Sequence, residues 1–140
     1  MKIDVNWLGK DFHMEAGNEE GGKIRIDGNT NIGGLDGGMS PMQLLLAAIG
    51  GCSAIDVISI LEKQKQDLKS LKVEVDGDKQ KTDVGYSEYK SIHMHFILSG
   101  NLDEKKVQRA LDLSITKYCS VSKALEKGSE ISYDFVITNN

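Results

Sequence analysis

Cysteine and proline are both scarce in these 140 residues, with two of the first and one of the second. The cysteines, Cys52 and Cys119, lie 67 positions apart, a separation that matches no zinc-binding pattern. Basic residues are not in excess either: 17 Lys and Arg face 21 Asp and Glu, for a formal net charge of -4, and the lysines are scattered among the acids. That excludes the basic face a nucleic acid or an anionic membrane would need, so small molecules or other proteins are the expected partners. The N-terminus, MKIDVNWLGK, alternates apolar and polar residues and lacks the continuous apolar core of a signal peptide. No run is read as reaching transmembrane length. The expected location is the cytoplasm, where two cysteines stay as thiols or cycle through a transient disulfide. No cofactor and no metal is expected.

What is present fits a single domain spanning 1–140 with one core, since 39% of the residues are apolar and 27% charged. Ile3, Val5 and Trp7 alternate with polar residues, Phe12, Met14 and Ala16 do so again, and Lys23 to Asp27 reads as a third short strand of an antiparallel meander. The segment GNTNIGGLDGGMS, 28–40, reads as a crossing loop. Ser40-Pro41 is a helix start, and the helix should run to about Gln64. Its apolar residues cover nearly the whole circumference, which for a chain this small calls for a second subunit. Gly50-Gly51 weaken its middle by roughly 1 kcal/mol each, so something must approach the backbone there. Strands come next at Leu71–Val75 and Ile92–Leu98, joined by an exposed hairpin. A helix with the stripe Val107, Ala110, Leu111, Ser114 and Tyr118 then ends near Cys119, a short helix SVSKALEK stops at Gly128, and a closing strand carries Ile131 to Ile137. The order contains no βαβα alternation, so the fold class is α+β.

Cys52 sits in an apolar helical stripe with Leu45, Ala48, Ile55 and Ser59, which raises a thiol pKa; sequence-local activating charges are absent. A buried core residue and a working thiol are both open readings. Cys119 lies at a break between two helices, where the second helix stabilises a thiolate and Lys117 and Lys123 add charge; its alternative is a small corner-filling residue.

Together, SPMQLLLAAIGGCSAIDVISIL and KYCSVSKAL resemble two motifs of the OsmC/Ohr superfamily. In the first, a proline opens the long helix eleven positions before the peroxidatic cysteine, the interval from Pro41 to Cys52. The second resembles C-P-V-S-K-x-L around the resolving cysteine, at Cys119, in the small GGCSAIDV/KYCSV branch. The resemblance implies an intertwined homodimer with antiparallel sheets wrapped around long central helices and sites at the subunit interface. It implies reduction of an organic hydroperoxide: the Cys52 thiolate attacks, becomes a sulfenic acid, and is captured by Cys119 as a disulfide that a dithiol reductant reopens. The family's activating arginine, in a G-R-D-G turn, corresponds to Lys10 in Gly9-Lys10-Asp11; its glutamate after the helix-opening proline corresponds to Met42, with Gln43 next to it. Ser120 replaces the proline after the resolving cysteine.

Two functions of different class are implied: a thiol peroxidase, with Cys52 and Cys119 catalytic and Lys10, Met42 and Gln43 activating or binding substrate, or a non-catalytic dimer of the same fold that serves as a stress-related interaction module or binds a small apolar ligand. His93 and His95 share a strand face with no evident carboxylate partner and read as solvated, not as metal ligands with His13. GGLDGG lacks the residues of a phosphate loop, and Asp56 on the central helix reads as a group that caps or hydrogen-bonds across the dimer.

Overall fold

The structure, a computed structural model, describes residues 1–28, 32–34 and 37–138. Its elements are β1 (Ile3–Trp7), β2 (Met14–Asn18), β3 (Lys23–Ile26), α1 (Pro41–Lys63), β4 (Asp67–Lys81), β5 (Ser87–Asn101), α2 (Glu104–Leu113), a π-turn at Ser114–Tyr118, α3 (Ser120–Leu125) and β6 (Glu130–Thr138). The α+β class holds. The chain divides into two compact units, Met1–Leu45 and Leu46–Asn140, and α1 continues from one into the other.

In the first unit β1, β2 and β3 form an antiparallel meander, with Val5 opposite Ala16 and Ala16 opposite Ile24. Leu8 N–H donates to the His13 carbonyl at 2.9 Å across the first turn, where Gly9 and Asp11 take positive φ. Residues 29–31 and 35–36 of the glycine-rich crossing lie outside the described residues. At its end Met39 pairs with Ile26, and a side chain on Gly38 would collide with the Arg25 backbone. The buried Asp27 carboxylate accepts from Gly28 N–H at 2.7 Å and Gly37 N–H at 2.9 Å.

Helix α1 begins as the serine and proline predict. Ser40 Oγ accepts from Gln43 N–H at 3.3 Å, while Gln43 Oε1 accepts from Ser40 N–H at 2.8 Å, a reciprocal capping box. The helix is long and apolar enough to cross a membrane, a correction to the sequence expectation, because Asp56 is its only charged residue before Glu62. Core helices also meet that test, yet only 28% of its most apolar stretch is buried within the chain. The buried residues are Ile49, Gly50, Ser53, Val57 and Leu61, essentially one stripe spaced by four; Leu45, Ile55 and Ile58 stay exposed.

The second unit's core is built on β5, whose Ile92, Met94, Phe96 and Leu98 are fully buried, with Val107, Ala110 and Leu111 of α2. A Cβ at Gly50 would lie 2.9 Å from Val75 Cγ2, so its close neighbour is β4 and not another helix; at Gly51 nothing among the described residues lies within 4 Å. The sheet is mixed, not wholly antiparallel: β5 pairs antiparallel with β4 but parallel with β6. The intervening helices supply the long crossover that a parallel return requires. Tyr118 is half-exposed and leaves the predicted α2 stripe, because the π-turn spends extra residues on its turn and rotates the side chains beyond it.

Candidate active site

Helix α1 and the π-turn bring the two cysteines together. Cys52 Sγ, Cys119 Sγ and an Asp56 carboxylate oxygen all lie within 4.8 Å of one another. Cys52 is half-buried and Cys119 completely buried; neither is in a disulfide. Asp56, one turn beyond Cys52, accepts from Ser114 Oγ at 3.0 Å, and the same hydroxyl reaches the Ser53 carbonyl at 3.4 Å. Ser114 opens the π-turn, whose closing bond, Cys119 N–H to the Ser114 carbonyl at 2.7 Å, sets Cys119 at the N-cap of α3.

From that position Cys119 Sγ accepts from Ser122 N–H at 3.3 Å and from Ser53 Oγ at 3.4 Å. Burial pushes the Cys119 thiol up, but the Ser122 and Ser53 hydroxyls, the Ser122 N–H and the Cys52 thiol outweigh it and bring it below its ordinary value. The Ser122 hydroxyl acts on the sulfur without hydrogen-bond geometry, since its buried Oγ has no hydrogen-bond partner among the described residues. Cys52 moves the other way. Burial raises it, the Val121 N–H opposes, and Cys119 and the Asp56 charge push it further up. The apolar stripe thus raises Cys52 as the sequence predicts, and the helix start lowers Cys119. The lysines do not contribute as expected: Lys123 pairs with Glu126 at 3.3 Å and Lys117 lies over the Tyr118 ring, because their side chains turn to their own surface neighbours.

The remaining predicted site residues lie in the first unit. Lys10 is exposed in the β1–β2 turn, its carbonyl accepting from His13 N–H at 3.2 Å. Met42 is half-buried in the first turn of α1, and Gln43 is engaged in the helix cap. The sequence reading missed Ser53, Ser114 and Ser122, which lie on elements that only the fold brings together. It also missed a carboxylate beside the histidines: Asp134 Oδ1 is 2.7 Å from His95 Nδ1 and 3.0 Å from His93 Nε2, while His93 Nδ1 meets Ser132 Oγ at 2.7 Å. Asp134 and Ser132 reach them through the parallel β5–β6 register.

The OsmC-like protein family model matches residues 34–134, and the chain belongs to that family. Among its relatives, Protein YhfA of Escherichia coli strain K12 is 38% identical over 139 residues, covering 98% of both chains. A hypothetical protein from Aquifex aeolicus VF5 matches with a TM-score of 0.79 and 27% identity, over 99% of this chain and 97% of that one. An organic hydroperoxide resistance protein OsmC from Legionella pneumophila, described as a predicted redox protein and regulator of sulfide bond formation, shares the fold at a TM-score of 0.73. It is 17% identical, over 96% and 94% of the two chains.

Proposed function

We propose that the chain is a thiol-dependent redox protein that reduces organic hydroperoxides through Cys52 and Cys119. The observation that carries the reading is the pair of sulfurs within 4.8 Å, one half-exposed and one buried. The Cys52 thiolate attacks the outer peroxide oxygen, the O–O bond breaks, and the departing alkoxide takes a proton to leave as the alcohol. Cys52 is then a sulfenic acid. The Cys119 thiolate attacks its sulfur, expelling hydroxide that is protonated to water, and the disulfide is reopened by two electrons from an external dithiol. A disulfide needs its sulfurs about 2.05 Å apart, so side-chain rotation must close the remaining gap. Lys10 supplies the activating charge in this reading, as a point charge without arginine's fork.

The protein works as a cytoplasmic homodimer in this proposal. Exposed Leu45, Ile55 and Ile58 on α1, and exposed Ile3, Val5 and Trp7 on β1, are apolar surface that a second copy would cover. Family relationship supports the redox chemistry, as does the hydroperoxide-resistance name carried by the Legionella pneumophila protein. One observation favours the second reading, an apolar-ligand-binding dimer that does not turn over: the Cys52 thiol is raised, which slows it as a nucleophile.

The test exposes the reduced protein briefly to one equivalent of organic hydroperoxide, blocks free thiols and maps linkages by mass spectrometry. A Cys52–Cys119 disulfide formed with peroxide loss, and no peroxide loss in Cys52→Ser, is the expected result. Intact peroxide beside two free thiols would leave the binding module.

A further inference from the structure

We propose that the reduced Cys52–Asp56–Cys119 cluster binds a thiophilic divalent cation of the zinc class, with the two sulfurs and one Asp56 oxygen as ligands. The inference concerns the site of the proposed redox reaction but requires only its reduced thiols, not peroxide turnover. The 67-position spacing hides the site from the sequence; α1 and the π-turn assemble it.

Geometry comes first. In a tetrahedral zinc site, bond lengths of about 2.3 Å to sulfur and about 2.0–2.2 Å to oxygen put ligand atoms roughly 3.5–3.8 Å apart. The three atoms here already lie within 4.8 Å of one another, so a closure of about 1 Å by side-chain rotation completes three corners. Two thiolates and a carboxylate form a soft, anionic set suited to zinc, whereas magnesium and calcium take oxygen ligands throughout.

The surroundings have the character of a metal site's outer shell. Ser114 Oγ donates to Asp56 Oδ2, and Ser53 Oγ and Ser122 N–H donate to Cys119 Sγ, so two of the three ligands are already held as acceptors. Independently, Ser122 is fully buried and its Oγ, beside the Cys119 sulfur, has no hydrogen-bond partner among the described residues.

The experiment titrates the reduced, anaerobic full-length chain with Zn²⁺ in competition with a chromophoric chelator, and with Co²⁺ by absorption. One ion per chain is expected, with sulfur-to-cobalt charge transfer and the visible bands of a tetrahedral site. Cys52→Ser and Cys119→Ser should each abolish stoichiometric binding. Asp56→Asn should weaken Zn²⁺ at least about tenfold, and Ser114→Ala about 10- to 100-fold, as loss of outer-shell partners does elsewhere. The double variant His93→Asn/His95→Asn should bind as the wild type does. Zn²⁺ should also protect Cys52 of the wild-type chain from iodoacetamide, a readout that needs no variant to fold. Absent stoichiometric binding, binding that survives either cysteine substitution, unchanged affinity in Asp56→Asn, or loss in the histidine variant would each overturn the proposal. Peroxide consumption is no part of these readouts, so a chain inert toward peroxide that binds zinc refutes the proposed function alone.

Discussion

Replacing Ser114 by alanine removes the hydroxyl that donates to Asp56 Oδ2 at 3.0 Å and leaves the carboxylate without that donor. A hydrogen bond to a charged group contributes about 1.5–3 kcal/mol, and Asp56 is half-buried, so water recovers part of the loss; about 1.5 kcal/mol is expected. With a urea dependence of about 2 kcal/mol per molar for a chain of this size, the unfolding midpoint should fall by about 0.7 M. The assay is equilibrium urea unfolding of the reduced protein, with chelator present and protomer concentration fixed, since dimerisation would otherwise contribute. In an Asp56→Ala background the same substitution should cost about 1 kcal/mol less, because the partner is already gone. A Ser114→Ala protein within about 0.5 kcal/mol of wild type, or an equal loss in both backgrounds, would show that the bond does not hold Asp56 beside the cysteines.

The adjacent glycines of α1 should respond differently. Gly50→Ala puts a methyl 2.9 Å from Val75 Cγ2 and should lower stability, overpacking of about 1–3 kcal/mol outweighing a helix gain of at most about 1 kcal/mol. Gly51→Ala meets nothing within 4 Å among the described residues and should raise helix stability while weakening the proposed dimer; sedimentation showing an undiminished dimer would place the subunit contact elsewhere. Hydrogen bonds from His95 and then His93 hold the exposed Asp134 carboxyl below its usual range. A group with a depressed folded pKa stabilises above its unfolded pKa and loses that contribution as pH falls through the folded value. Asp134→Asn should therefore show a small stability deficit above the ordinary carboxylate range that closes toward acid; unfolding midpoints across pH would contradict this if the deficit widened.

Local signals were enough to order the helices and strands, although the stretch read as an exposed hairpin is largely strand, with β4 reaching Lys81 and β5 starting at Ser87. Ser40-Pro41 announces α1, the alternation of Ile92, Met94, Phe96 and Leu98 announces the buried face of β5, and the quoted motifs single out Cys52 and Cys119. What needed the fold is register and partnership. Nothing in the period of β6 shows that it runs parallel to β5, so Asp134 is not visibly opposite His95. Nor does an apolar periodicity reveal which face of α1 its own chain covers. Ser53 and Cys119, or Asp56 and Ser114, are paired by tertiary approach across long sequence separations. Gln43 is the converse case: read for chemistry, it belongs to a capping box whose spacing from Ser40 is itself a sequence signal.

Exposure and acidity are divided between the two sulfurs. Cys52 is the one a substrate can approach, yet burial, Cys119 and Asp56 all raise its thiol; Cys119 is sealed from solvent, yet hydrogen bonds lower its own. Of the two sulfurs Cys119 is therefore the more readily deprotonated, and Cys52 the one that holds its proton more tightly. Attack by Cys52 requires that proton to move to the neighbouring sulfur or to Asp56, across a gap of at most 4.8 Å. Each pKa unit of this imbalance is about 1.4 kcal/mol against the productive thiolate. Taking away the competing sulfur should lower the Cys52 pKa and speed its alkylation near neutral pH. Cys119→Ser is the substitution that does so, and its rate profile against pH should shift toward acid relative to wild type. An unchanged or slower profile would mean that Cys119 does not raise the Cys52 thiol, and that burial and Asp56 keep it protonated.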